Sequence, residues 1–155
     1  MILVLLVAFL FGVVAGLRAL LAPAALAWAA HLGLLSLGGT PFEVLTHGWI
    51  AWVLSALAVV EILADLLPTR MSRTSPPMLA LRLLTGGLAG AIVGAAGGAI
   101  MLASFAGIVG AIIGTMLGRG LRARLRDTFA GDVPAGVLES VLAIGAAWLL
   151  VATVF

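Results

Sequence analysis

"TGGLAGAIVGAAGG", residues 85–98, carries no charge and one hydroxyl. Counting by fours through it gives Gly86, Gly90, Gly94 and Gly98. In water, glycine weakens a helix by roughly 1 kcal/mol relative to alanine. Between membrane helices the balance differs. Lipid tails are as apolar as leucine, so such helices associate through close van der Waals contact, which small residues every fourth position permit. Gly110, Gly114 and Gly118 repeat the spacing, with Gly107 nearby, and Gly12 and Gly16 form a shorter row. These rows predict an all-α polytopic membrane bundle in which two glycine-faced segments form a tight hairpin. Packing within the chain is the plain reading. An interface in a homo-oligomer, or a thin wall beside a path for substrate or water, would use the same spacing.

Composition agrees. The 155 residues are 64% hydrophobic and 9% charged, with a mean hydropathy of +1.32. A soluble domain is usually about a quarter charged, so the lipid bilayer is the expected solvent. Eight arginines stand against six acids with no lysine, and the net charge is only +2, which gives nucleic-acid binding no support. Without cysteine there is no disulfide framework, thiol nucleophile or cysteine-based metal site. His31 and His47 have only Glu43 near them in sequence, too few ligands for a metal. There is no GxSxG, HExxH or Walker loop, and "GRGLRARL" (118–125) lacks the Lys-Ser/Thr of the last. Neither an enzyme nor a cofactor is expected.

Six helical segments fit the pattern, at about 2–17, 19–36, 48–67, 78–100, 104–126 and 134–154. A spanning helix needs about 20 apolar residues, so the first two are short for that role. "MILVLLVAFLFGVVAGL" (1–17) lacks the basic n-region of a signal peptide and reads as the first membrane helix. "LGGTP" (37–41) is a turn cluster, and "AGDVP" (130–134) opens the last helix with Asp132 as an N-cap. "LPTRMSRTSPP" (67–77) is the longest polar stretch. It divides one transmembrane domain into halves 1–68 and 78–155.

Every arginine falls at one of three joints: Arg18, then Arg70, Arg73 and Arg82, then Arg119, Arg122, Arg124 and Arg126. If all six segments span, those joints share one side, which the positive-inside rule makes cytoplasmic. Trp28, Trp49, Trp52 and Trp148 fall toward the opposite ends, as an interfacial belt would. The basic "RGLRARLR" (119–126) reads as a helix end touching anionic lipid.

Charges within apolar segments disfavour insertion by roughly 2.5–3.5 kcal/mol each at a helix centre, and are functional candidates by default. Glu61 and Asp65 are four apart, on one helical face. Glu139, Arg82 and Arg18 fall at similar depth, with Ser140 beside Glu139. They predict one polar cluster of three acids and two arginines. It reads either as a paired network that locks the helices or as a proton- or ion-responsive site. In the second reading one carboxylate is unmatched, and Glu61, the deepest, is the candidate.

"GLRALLAP" (16–23), "EILAD" (61–65) with Pro68, "RTSPP" (73–77), "LRLLTGGLAGA" (81–91) and "LES" (138–140) occur together and in order over nearly the whole chain. As a set they resemble the bacterial membrane family called domain of unknown function 4126. The resemblance implies a fold and site positions, and assigns no activity. It departs at Leu66, where the family often has lysine, and at Ser140, where an acidic pair is common. A weak internal similarity also aligns "LRALLAPAALAWA" (17–29) with "LRLLTGGLAGAIV" (81–93).

The leading expectation is a small inner-membrane transporter or channel for a small solute or ion. Arg18 and Arg82 would attract an anionic group, Glu61 would carry a coupling proton, and Asp65, Glu139 and Ser140 would complete the site. The alternatives are lipid binding or scrambling, signalled by a lateral opening between helices, and a structural or assembly role, signalled by fully paired charges.

Overall fold

A computed structural model describes residues 1–65, 76–129 and 132–155. These form an all-α helical bundle of α1 (Ile2–Leu17), α2 (Leu21–His31), α3 (Gly48–Ala64), α4 (Pro76–Ala96), α5 (Ile100–Phe129) and α6 (Asp132–Val154). One 3-10 turn, Glu43–Thr46, precedes α3. The joining loop 69–77 up to residue 75, including Arg70 and Arg73, the capping role of Asp132 and the side chain of Arg126 all lie outside the described residues.

Helices α4, α5 and α6 are long and apolar enough to cross a membrane, while α1 and α3 are apolar but shorter. The 11 residues of α2 reach only about 16 Å, half of a hydrocarbon core of roughly 30 Å. Protein covers most of this short helix, and seven of its residues are buried, Pro23 in its first turn among them. The spacing had predicted a helix to residue 36. Instead Gly33, at φ +74°, closes α2, with its N–H on the Ala30 carbonyl and that of Leu34 on the Ala29 carbonyl. Glycine takes this left-handed turn without the Cβ penalty, and the two bonds satisfy carbonyls the helix end leaves open. The chain then folds back and buries Leu35 and Leu37.

Helices α1, α4 and α5 pack most closely, and the buried apolar cluster extends from them over α2. A side chain at Gly12 would strike the backbone of Gly107, and one at Gly90 that of Ala103. At Gly86 it would meet Ala111 at 2.6 Å, and at Gly94 the Cβ of Ala103 at 2.6 Å. The α4–α5 hairpin is therefore as close as its glycines imply. The second glycine row turns elsewhere: Gly110 lies on Phe9 and Gly114 on Val13, both of α1. Helix α5 thus presents small residues to two neighbours, and Gly118 is buried one step further along its row.

Gly98 does not belong to the α4 face. It lies beyond the helix at φ +71°, with nothing within 4 Å of a Cβ placed there. Ala99 N–H bonds the Gly94 carbonyl, so Gly98 makes the turn that lets α5 begin at Ile100 rather than near 104. Counting by fours cannot tell the last residue of a face from the residue that ends the helix.

The six helices alternate in direction. Ala19 and Leu20, before α2, meet Glu61 near the end of α3, and His31, ending α2, lies on Gly48 at the start of α3. Arg82, early in α4, reaches the end of α1, and Gly97 beyond α4 meets Val4 near its start. Arg18 meets Gly136 and Ser140 early in α6, while Phe11 stacks on Phe155 at its end. Arg18, Arg82 and Arg122 accordingly share one end of the bundle, and the indoles of Trp28 and Trp52 meet toward the other, 5.3 Å between ring centroids.

Candidate functional site

Four helices bring the candidate residues together because each places its charge near the same end. A helix leaves its last carbonyls and first N–H groups without internal partners. At the end of α1, Arg82 of α4 supplies the missing donor. Its Nη1 donates to the carbonyls of Gly16 and Leu17, the latter at 3.1 Å. The buried Thr115 hydroxyl of α5 lies 3.3 Å from the same Gly16 carbonyl.

Three residues later α2 begins with Leu20 at its cap position and no side-chain cap of its own. Glu61 of α3 fills that role from another helix. Its Oε1 accepts from Ala19 N–H at 2.8 Å and its Oε2 from Leu20 N–H at 2.9 Å. An anion at a helix start and a cation at a helix end both agree with the helix dipole.

Asp65 caps the C-terminal end of α3 and has the unfavourable sign for that position. Two guanidinium groups offset it. Arg18 Nη1 and Arg122 Nη1 converge on the same Oδ2, at 2.9 and 2.6 Å. Arg122 Nη2 also reaches the Asp65 carbonyl at 3.5 Å. Arg122 Nη1 further lies 3.6 Å from Oε2 of Glu139, a carboxylate that is 0% exposed. Arg18 Nη2 donates to Ser140 Oγ at 2.6 Å and to the Gly136 carbonyl at 3.2 Å, while Ser140 Oγ donates to Gly136 at 2.7 Å.

The structure therefore gathers Arg18, Asp65, Glu139 and Ser140 in one buried cluster, and sets Glu61 and Arg82 around the α1–α2 joint beside it. The reading of three acids against two arginines is corrected. Arg122, assigned from sequence to a lipid-facing helix end, is 5% exposed and brings a third cation. With Arg122 counted, three acids stand with three arginines: Asp65 and Glu139 lie against Arg18 and Arg122, while Glu61 and Arg82 bind backbone groups. Glu61, read as the unmatched acid, has both oxygens engaged by backbone N–H groups. A signal for Arg122 was present: the row Gly110, Gly114, Gly118 reaches it at the next step of four.

Beside the cluster lies an apolar cleft of about 530 Å³ between α2, α3 and α6. It exists because α3 rests on α2 and the 3-10 turn, while α6 rests on α5, α1 and α2. The two outer helices stand apart with α2 as floor. That floor is the stripe Leu21, Ala25, Trp28 and Leu32, at helical spacing along a part-exposed side of α2. Val59 and Ile62 form one wall, and Ile144 and Trp148 the other. The Ser55 hydroxyl within it accepts from Trp28 Nε1 at 2.9 Å.

No family model, curated protein or solved structure matches the chain.

Proposed function

We propose that this chain is a multi-pass protein of the bacterial inner membrane that binds a lipid chain in the cleft between α3 and α6. The cleft is the observation that carries the reading. It is apolar, floored by a half-exposed stripe, and flanked by helices whose outward residues Val60, Leu63, Val141 and Leu149 are themselves apolar and exposed. Surfaces of that kind belong in lipid. The arginine-rich end is cytoplasmic, supported by the positive-inside rule, and the tryptophan end lies at the opposite interface. The proposal includes membership of the domain of unknown function 4126 family, on the order of its motifs. The glycine rows support packing within the chain, since α1, α4 and α5 already occupy them.

The test uses Trp28, which lines the cleft. With Trp49, Trp52 and Trp148 changed to phenylalanine, its fluorescence is quenched by phospholipids brominated along their acyl chains. Filling the floor with Ala25→Phe removes most of that quenching. Emission from Trp28 insensitive to brominated chains would remove the proposal.

Solute or ion transport is a second reading, favoured by the gathering of six ionisable groups at one end of the bundle. In it, flux through proteoliposomes changes when Glu61 becomes glutamine. Flux indifferent to that substitution discards the coupling role.

A further inference from the structure

An acyl chain moving from bilayer to cleft leaves one apolar medium for another, so the hydrophobic effect gives it little reason to stay. Selective binding needs a second, polar attachment. The cleft has one at its inner end. Ile62 is three residues before Asp65, and Ile144 four after Ser140, so each lies one helical turn from the charged cluster on the same helix face. Leu21 follows the joint that begins at Arg18. The head of an amphiphile lying along the cleft would arrive at Arg18 and Arg122.

That pair is arranged for an anion. Two guanidinium groups, 1% and 5% exposed, converge on a single carboxylate oxygen. Their Nε donors have no hydrogen-bond partner among the described residues. Buried guanidinium groups bind phosphate as readily as carboxylate, with the same fork of donors. The present occupant, Asp65, has the wrong sign for the end of α3, and its side chain is 15% exposed, more open than either arginine. Depth fits as well. From Ile2 to Arg18, and from the end of α6 back to Ser140, is about 20–25 Å along the helix. That places the cluster in the inner part of a hydrocarbon core of roughly 30 Å, about 5–10 Å short of its boundary, a gap of the order that long arginine side chains span toward headgroups.

We infer that Arg18 and Arg122 form a headgroup site for an anionic phospholipid, with Asp65 as the built-in anion that the lipid phosphate displaces and the α2–α3–α6 cleft as the seat of one acyl chain. The inference rests on the lipid-binding reading above and narrows it to a headgroup class.

Native mass spectrometry of the full chain, released from detergent containing equal phosphatidylglycerol and phosphatidylcholine with matched acyl chains, tests it. The wild-type chain retains phosphatidylglycerol about tenfold over phosphatidylcholine: both offer the same phosphate, but the trimethylammonium of phosphatidylcholine is repelled by the two guanidinium groups, and like-charge juxtaposition is costly. Arg122→Gln brings the ratio near one, and Asp65→Asn raises it several-fold by removing the competitor. Ala25→Phe lowers retention of both lipids. Excess inorganic phosphate leaves the retained lipid in place. Equal retention of the two lipids by the wild type, with both still lost on Ala25→Phe, overturns the headgroup site and spares the cleft. Retention unaffected by Ala25→Phe overturns lipid binding in the cleft and this inference with it. Displacement by inorganic phosphate alone makes the ligand a soluble anion and also overturns it. The wild-type ratio needs no variant, so a poorly folding Arg122→Gln does not shield the idea.

Discussion

Glu61 shows how a charge inside an apolar segment can be used without chemistry. Both its oxygens accept backbone N–H groups at the start of α2. Replacing it by glutamine keeps one acceptor and turns an amide donor toward an N–H group. A hydrogen bond to a charged group contributes about 1.5–3 kcal/mol, so Glu61→Gln is expected to lower the unfolding free energy by that order, read in detergent as a lower melting midpoint. Arg122 is more exacting. Its removal leaves Asp65 with one fewer cation and the fully buried Glu139 without its 3.6 Å contact. Breaking a buried pair typically costs about 3–5 kcal/mol, and Arg122→Gln should approach that in the same measurement. Arg119→Gln, at an exposed position three residues earlier, should leave the midpoint unchanged.

At the scale of the helix, spacing by four organises both packing and charge. Gly86, Gly90 and Gly94 are preceded on their row by Arg82, and Gly110, Gly114 and Gly118 are followed on theirs by Arg122. Each row brings two backbones together, and one turn further its guanidinium reaches a third element: Arg82 the end of α1, and Arg122 the Asp65 and Glu139 carboxylates. Glycines in contact and out of contact should therefore behave oppositely. Gly107→Leu must force its side chain into the backbones of Gly86 and Gly90, and should abolish the monodisperse peak in size-exclusion chromatography. Gly145→Ala, on an exposed face with nothing within 4 Å, should be neutral or stabilising by about 0.5–1 kcal/mol through helix propensity. Gly98→Ala meets no atom but must hold φ +71°, and should cost about 1 kcal/mol through backbone strain alone.

For the whole molecule, alternation of six helices sorts the chain into an arginine end and a tryptophan end. Because the sequence contains no cysteine, single cysteines can report on this without background. Gly38→Cys, in the exposed loop after α2, should react with a membrane-impermeant maleimide added to intact cells. Ala123→Cys, exposed near the arginine end of α5, should react only after the cells are opened. The same pattern at both positions would rule out the orientation. Helix α3 is the lightly held element: only Ala51 and Ala58 along it are buried, and it rests on α2 and the 3-10 turn. Asp65 ties its end to Arg18 and Arg122, so a ligand that displaces Asp65 also loosens the wall of the cleft.

Much of the fold was legible in the residues because membrane packing depends on features that are local. Gly12, Gly90 and Gly107 announce close backbone contact by lacking a side chain, and the joints announce themselves by arginine, proline and glycine. The depth of Arg18, Asp65 and Glu139 could be counted along their helices, so their meeting could be foreseen. What spacing alone could not supply was the partner of each face. Gly110 and Gly114 lie on α1 rather than α4 because α5 is packed on two sides, and one helix's periodicity does not say which neighbour stands opposite. Glu61 holds the start of α2, and Arg122 supplies a third cation, because hydrogen bonds act over about 3 Å between groups up to 122 residues apart in the chain. The cleft has no signature in sequence at all, since it is the space left between α3 and α6, which rest on different neighbours.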